Sequence, residues 1–116
     1  MDLETKTRNY FTAFANKDLK KLSEIFSPNV CLKDWNLSAH GRPAVLEANA
    51  KIFNDIKKID IDIQRVYIAG LTTIIAELLI TADDQEPLPV VDIISWSTRG
   101  PVENRKITSI TAYRGN

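Results

Sequence analysis

This sequence contains very little cysteine and histidine, with a single copy of each. Cys31 alone cannot form an internal disulfide, and its apolar-flanked segment NVCLK is typical of a small buried thiol. A structural zinc site needs about four ligands, mostly from cysteine and histidine, and His40 is the one histidine in the sequence. We therefore expect neither a metal nor any other cofactor.

Neither sign of charge is in excess, because 15 Lys and Arg balance 15 Asp and Glu. No Lys/Arg cluster is interleaved with aromatic residues, so the electrostatic pattern of a nucleic-acid-binding protein is missing. The sequence also lacks an apolar run long enough to span a membrane, and MDLETKTRNY is charged where a signal peptide would be apolar. These absences predict a cytoplasmic protein that binds neither nucleic acid nor membrane.

The first half of the chain has the periodicity of helices. One set of residues recurs at three- and four-residue spacing and defines the inner face of a first helix: Leu3, Thr7, Tyr10, Phe11 and Phe14. Asp18 is the predicted N-cap of a short second helix, which Pro28 ends. The inward residues of this second helix are Leu19, Leu22 and Phe26.

A strand candidate, VCLKDW, separates these helices from a third. The third helix begins near Gly41 and Pro43, and its apolar spacing runs through Val45, Leu46, Asn49, Ile52, Phe53 and Ile56. From residue 59 onward the pattern changes to the alternation and β-branched residues of strands. Four strands are predicted, in IDIDIQRVYI, TTIIAELLIT, LPVVDIISWST and RKITSITAYR.

The length of 116 residues fits one domain, 1–116, with the order helix, helix, strand, helix and four strands (ααβαββββ). This order predicts an α+β fold in which helices pack against one face of a mainly antiparallel sheet. The third of the four strands carries an unexpected acid: Asp92 stands between Val90 and Ile94 on a face otherwise built for burial. An unpaired buried polar group costs about 2–7 kcal/mol, so Asp92 is paired, protonated or used.

Several segments together resemble one known superfamily. The helical pair is followed by LKDW and HGRPAVLEANAKIF, and the strands end in VVDIISW and KITSITAYRG. This arrangement is similar to the nuclear-transport-factor-2-like (NTF2-like) superfamily, and within it to the SnoaL-like polyketide-cyclase and ketosteroid-isomerase branch. The resemblance covers nearly the whole chain. It implies a cone-shaped, cystatin-like curved sheet wrapped around the N-terminal helices, with a cavity between the sheet and the first helix.

The resemblance also implies a set of catalytic residues. Ketosteroid isomerases use a tyrosine from the first helix, a general-base aspartate on the first strand and a protonated aspartate on a later strand. These positions fall on Tyr10, Asp34 and Asp92. Two departures from the family pattern stand out: Trp35 replaces a proline beside Asp34, and the longer turn STRGPVEN predicts a reshaped pocket mouth.

These residue types suit proton transfer next to a carbonyl group, which needs one base and strong donors aimed at the oxygen. Asp92 is expected to remain protonated, because desolvation favours the neutral acid, whereas Asp34 is expected to stay ionised. The ligand would be a small apolar or carbonyl-bearing molecule. The expected pocket walls are Phe14, Trp35, Phe53, Val90, Ile94 and Trp96.

Each candidate residue also has a structural interpretation. Tyr10 lies on a core-facing stripe where tyrosines usually pack, and Asp34 at a strand end is as typical of a cap on a neighbouring amide. Asp92 can hold a structural hydrogen bond. The alternative function is therefore a noncatalytic module that binds a ligand or a protein. His40, at a helix entrance, is predicted to be a loop or capping residue.

The helices can cover only one face of the predicted sheet. The other face carries apolar residues such as Tyr67, Ile75 and Leu79. A symmetric homodimer would bury them, so we predict a dimer. Glu77, a second strand acid, is predicted to pair with Arg65 or to face the dimer partner.

Overall fold

The first two helices begin at side chains that cap them. The computed structural model describes residues 1–115 and contains three α-helices: α1 (Leu3–Ala15), α2 (Leu19–Ile25) and α3 (Arg42–Asp55). Asp2 Oδ1 accepts a hydrogen bond from Thr5 N at 2.8 Å, and Asp18 Oδ1 accepts one from Lys21 N at 3.0 Å. Gly41 precedes α3 with a φ of 91°, a backbone conformation that glycine adopts at little cost.

The strands form one curved, unclosed sheet. Its strands are β1 (Phe26–Lys33), β2 (Ser38–His40), β3 (Ile59–Ala69), β4 (Thr73–Ala82), β5 (Leu88–Trp96) and β6 (Ile107–Arg114). Their order across the sheet is β2-β1-β6-β5-β4-β3, and every neighbouring pair is antiparallel except β1 and β6. The predicted α+β fold with N-terminal helices and a mainly antiparallel sheet is therefore confirmed.

Two details of the chain differ from the prediction. β2 was not expected, because its three residues show no alternation of apolar side chains. The inner face of α2 is also narrower than predicted, since Leu19 is exposed, α2 ends at Ile25 and Phe26 begins β1. Pro28 does not end the helix but lies in β1, where the pairing with β6 shifts register between Phe26 and Cys31. A residue without an N–H is tolerated at such an irregularity.

One face of the sheet packs against the helices and contains the core. Along β5 the residues that face inward are Val90, Asp92, Ile94 and Trp96, all of them buried. Trp96 lies beneath α1, and its Nε1 donates a hydrogen bond to Thr7 Oγ1 at 3.0 Å. No helix within residues 1–115 is long and apolar enough to cross a membrane.

The opposite face of the sheet carries a further set of apolar side chains. On β3 and β4, Tyr67 and Ile75 are register partners, and Val91 on β5 is the partner of Tyr113 on β6. Tyr67 is 44% exposed and Tyr113 is 59% exposed. We call this surface the outer sheet face.

Candidate functional site

A cavity of about 350 Å³ lies between the inner face of the sheet and helices α1 and α3. Most of its wall is apolar, with side chains such as Phe11, Phe14, Ile52, Ile56, Leu78, Ile80 and Val90. Its few polar side chains are Tyr10, Asp34, Asn36, Asn49, Gln85, Glu86 and Asp92. An apolar pocket of this size with a few convergent polar groups is typical of a small-molecule site.

Asp92 lies on the inner face of β5, where the side chains on either side of it are small. Its register partners are Ala76 on β4 and Ala112 on β6, so neither neighbouring strand fills the space around the carboxyl group. Asp92 is 8% exposed. Burial, and after it the negative charge of Asp34, raises the pKa of Asp92 to about 7. The carboxyl group therefore populates its neutral, hydrogen-bond-donating form near pH 7.

Tyr10 reaches the same cavity from α1. Its ring packs against those of Phe11 and Phe26, with ring centroids 5.2 Å and 6.1 Å apart, and the residue is 5% exposed. Burial, and then the negative charge of Asp92, raises the pKa of the Tyr10 phenol above its ordinary value. Tyr10 is thus a neutral hydroxyl donor at all physiological pH values.

Asp34 follows the last residue of β1 and is held by the turn that it starts. Its Oδ1 accepts hydrogen bonds from the backbone N–H groups of Asn36 at 2.7 Å and Leu37 at 2.8 Å. This is the amide-capping geometry of an Asx turn, and two N–H dipoles point at the carboxylate. Both hydrogen bonds end on one oxygen, so Oδ2 is the carboxylate oxygen that the turn does not use.

The cavity mouth is formed by two loops. Trp35 and Asn36 come from the loop after β1, and Gln85 and Glu86 come from the loop between β4 and β5. All four are exposed. The predicted role of the STRGPVEN turn at the mouth is wrong, since none of its residues lines the cavity.

That turn connects β5 to β6 and therefore lies at the end of the sheet opposite the mouth, where α1 contacts it. Lys6 Nζ donates hydrogen bonds to the backbone oxygens of Val102 at 2.8 Å and Arg105 at 2.6 Å. The same ammonium group lies 4.9 Å from the centre of the Trp96 ring.

Three of the six expected wall residues line the cavity, namely Phe14, Trp35 and Val90. Phe53, Ile94 and Trp96 do not, and this part of the prediction needs correction. Phe53 lies behind Phe14, against which it packs edge-on at 5.0 Å between ring centroids. Ile94 and Trp96 are on the inner face of β5 but beyond Asp92, where α1 packs directly on the sheet and leaves no space.

The remaining sequence candidates lie away from the cavity. Cys31 is half-buried rather than buried, because the alternation of β1 turns Val30 and Leu32 inward instead. Its Sγ is 3.1 Å from Nδ1 of the exposed His40 on β2. Glu77 accepts a hydrogen bond from the Tyr67 hydroxyl at 3.1 Å on the outer sheet face. No group of three or more His, Cys, Asp or Glu suited to a metal ion occurs within residues 1–115.

Sequence reasoning missed Asn49 as a site residue. Asn49 is 3% exposed, lines the cavity from α3, and its Nδ2 has no hydrogen-bond partner among the described residues. The signal that could have identified it is the one that identified Asp92, a polar residue inside an apolar stripe. On α3 the two residues four positions away, Val45 and Phe53, are both buried.

Comparison with protein families identifies one match. The model of the SnoaL-like domain matches residues 7–109. No curated protein is similar enough in sequence to match this chain.

Solved structures share the fold at low sequence identity. Nuclear transport factor 2 from Cryptosporidium parvum has a TM-score of 0.83 at 13% identity, over 97% of this chain and 90% of that one. A protein named as a candidate dehydratase of the NTF2-like family, from Streptomyces avermitilis, has a TM-score of 0.81 at 17% identity, over 98% and 94%. A candidate isomerase of the SnoaL-like family, from Agrobacterium tumefaciens, has a TM-score of 0.79 at 12% identity, over 97% and 96%. At these identities the likeness extends to the fold alone.

Proposed function

Because this chain belongs to the SnoaL-like domain family of the NTF2-like superfamily, we propose that its cavity binds a small, largely apolar carbonyl compound and catalyses proton transfer at the carbon next to the carbonyl group. Asp34 is the base. Tyr10 and Asp92 are the donors that hold the carbonyl oxygen.

The observation that carries this proposal is the pairing of two unlike carboxyl groups in one apolar cavity. Asp92 is buried and has a pKa of about 7, so it supplies a neutral donor. Asp34 is held by two backbone N–H groups that complement a negative charge. Two carboxyl groups with environments that differ in this way are suited to act as acid and base.

The proposed step balances as an enolisation. Asp34 Oδ2 takes a proton from the α-carbon, the C–H electrons form a carbon–carbon double bond, and the carbonyl π electrons move to the oxygen. That oxygen, now negative, accepts hydrogen bonds from the Tyr10 hydroxyl and from protonated Asp92. Asp34 then returns the proton, either to the same carbon or, in an unsaturated ketone, to a carbon further along the conjugated system.

Hydrogen–deuterium exchange tests the reaction without knowledge of the natural substrate. We expect the protein to accelerate exchange of the α-protons of α-tetralone in deuterium oxide. Proton NMR measures this exchange as the loss of the α-proton signal. Asp34→Asn should lower the protein-dependent rate by about 100-fold or more, since a positioned base contributes on the order of 10²–10⁴-fold. Tyr10→Phe should also slow the exchange, because it removes one of the two donors to the carbonyl oxygen. Tyr113→Phe, on the outer sheet face, is its matched control. The proposal fails if the parent does not accelerate exchange, or if Asp34→Asn accelerates it equally.

A second candidate function is a noncatalytic ligand-binding module. The observation that favours it is the turn at Asp34, because a carboxylate that caps Asn36 and Leu37 has a structural role that needs no reaction. In this case Tyr10 and Asp92 anchor a bound carbonyl compound and Asp34 shapes the loop at the mouth. Tight ketone binding without protein-dependent exchange would favour this second function.

We also propose that the outer sheet face mediates a homodimer. The support is the apolar area that α1–α3 leave uncovered, which includes Tyr67 and Tyr113. Contiguous exposed apolar surface on a sheet is typical of an interface. Two copies that meet through this face would leave both cavity mouths open, because neither Tyr67 nor Tyr113 lines the cavity.

A further inference from the structure

Arg114 is a charged residue at the edge of the cavity that the proposed reaction does not use. The alternation of β6 places it on the same face of the sheet as Ile110 and Ala112, which both line the cavity. Its register partner on β5, Val90, lines the cavity as well. Arg114 itself is exposed. It therefore lies where the inner face of the sheet passes from the cavity wall into solvent.

Trp35 holds the guanidinium group of Arg114 at the cavity mouth. The guanidinium carbon lies 6.0 Å from the centre of the Trp35 ring, which is a cation–π contact. Trp35 lines the mouth and is 39% exposed. Its loop is fixed by the two hydrogen bonds that Asp34 accepts. A guanidinium group held in this way loses less conformational freedom when it binds a ligand.

Arg114 forms no ion pair within residues 1–115. A guanidinium group presents several N–H donors in a planar fork, and a carboxylate can accept two of them in parallel. A ligand group at the mouth can therefore reach donors that no carboxylate of the described chain uses. We infer that Arg114 binds a carboxylate group on the ligand. This inference rests on the proposed function, because it takes the ligand to be a ketone whose carbonyl oxygen is held by Tyr10 and Asp92.

The charges of the cavity determine which end of the ligand carries the carboxylate. The lining contains the acids Asp34, Glu86 and Asp92 and, within residues 1–115, no Lys, Arg or His. A carboxylate inside the cavity would be desolvated and would face the negative charge of Asp34. At the mouth it stays hydrated, and the charge of the exposed Glu86 is screened there by water and salt. The ligand is accordingly a keto acid that enters with its ketone first, with an apolar body between the two groups.

A series of keto acids of increasing length tests this inference. The probes are para-acetylbenzoic acid, para-acetylphenylacetic acid and the corresponding propanoic acid, each compared with its neutral methyl ester. Calorimetry at neutral pH measures the dissociation constants. For at least one length, Arg114→Gln should weaken binding of the acid roughly threefold to tenfold, as expected for a well-oriented ion pair at a partly exposed site. Binding of the matching ester should change by less than about twofold, because the ester carries no charge.

Two further variants serve as a replicate and a control. Arg114→Met keeps the length of the apolar stem against Trp35 and should weaken the acid as Arg114→Gln does. Arg99→Gln removes the same charge from an exposed position in the turn between β5 and β6, at the opposite end of the sheet, and should leave every affinity unchanged. Added salt should weaken the acid in the parent protein more than in Arg114→Gln.

Three results would overturn the inference. The first is that none of the three acids binds the parent protein. The second is that Arg114→Gln weakens an acid and its ester equally, since Arg114 would then only position Trp35. The third is that Arg99→Gln weakens the acids as much as Arg114→Gln does, since the attraction would then come from the net charge of the protein.

The same ligands separate this inference from the proposed function. Tyr10→Phe reports on the carbonyl site and should weaken an acid and its ester by a similar factor. If Tyr10→Phe changes neither affinity while Arg114→Gln still weakens the acid selectively, the proposed carbonyl site is wrong and Arg114 remains a carboxylate-binding residue. If Tyr10→Phe weakens both and no acid depends on Arg114, the proposed function stands and the role of Arg114 is refuted.

Discussion

Asp34 and Asp92 come from distant parts of the chain and face one apolar cavity, close enough that the charge of Asp34 contributes to the raised pKa of Asp92. The larger contribution is burial. Asp92 has no compensating cation in the cavity lining, which includes no Lys, Arg or His within residues 1–115. The carboxyl group therefore lowers its cost of burial by binding a proton rather than by forming an ion pair.

The first prediction concerns this coupling. Asp34→Asn removes a negative charge from the cavity while its amide oxygen can still accept the turn hydrogen bonds, so the pKa of Asp92 should fall below about 7. Carbon-13 NMR of the labelled Asp92 carboxyl group, titrated in both proteins, measures the change. Asp62→Asn, on an exposed position of β3, is the control and should leave the titration unchanged. An identical Asp92 titration in the parent and in Asp34→Asn would contradict the coupling.

The second prediction is a loss of stability as the pH rises. The folded-state pKa of Asp92 is about 7 and its ordinary value is 3.8, so between these values the folded protein binds a proton that the unfolded chain has released. The free energy of unfolding should therefore fall through this interval and level off above it, by at most about 4 kcal/mol. Asp92→Asn lacks the titrating group and should not show this fall.

Urea unfolding at a series of pH values measures both proteins under the same conditions. The informative quantity is the difference between the two unfolding free energies, because the other titrating groups are common to both and largely cancel. The unfolding free energy of Asp92→Asn should increase relative to that of the parent as the pH rises from about 4 to about 8. Parallel pH profiles would show that Asp92 does not titrate in this range.

The third prediction separates the shape of Asp92 from its hydrogen bond. Asp92→Asn retains a donor of nearly the same size, whereas Asp92→Leu removes the donor and would leave a bound carbonyl oxygen with one partner fewer. Binding of α-tetralone should weaken more in the leucine variant than in the asparagine variant, by about 1–3 kcal/mol. Calorimetry on the three proteins measures this difference. Equal affinities in all three would mean that Asp92 does not contact the ligand.

The fourth prediction concerns the outer sheet face. A lysine at Ile75 or Ile93, in the middle of that face, would place a charge in the proposed dimer interface and should convert dimers to monomers at micromolar concentration. Leu71→Lys is the matched control, because Leu71 is 91% exposed in the turn between β3 and β4 and should tolerate the charge without dissociation. Sedimentation velocity measures the outcome. A monomeric parent protein would refute the dimer directly.

Local patterns in the sequence were sufficient to predict most of the fold. The caps, the helical stripe of α1 and the alternation in β3–β6 are properties of short segments, and each segment adopted the structure that its pattern indicated. β2 and the end of α2 were not predictable in this way. A three-residue strand exists because β1 lies beside it, and Phe26 is drawn into β1 by its pairing with Ile107 on β6.

The composition of the site was partly readable from the sequence. Asp92 was visible as an acid in an apolar run, and the same signal at Asn49 in α3 points to the same cavity. The sequence pattern did not predict how far the cavity extends along β5. One face of β5 carries Val90, Asp92, Ile94 and Trp96, and all four are buried in the same alternating pattern. Which of them line a cavity and which are packed depends on where α1 crosses the strand.

The sequence by itself thus determined the elements, the buried faces and the presence of unusual polar groups on those faces. Only the tertiary structure decided that Asp34, Asn49 and Asp92 meet at one cavity and that Trp96 is packed against Thr7 instead. The physical reason is the range of the interactions. Periodicity and capping act over a few residues, whereas an empty volume arises from the curvature of the sheet, the small Ala76 and Ala112 beside Asp92, and the angle at which a distant helix packs.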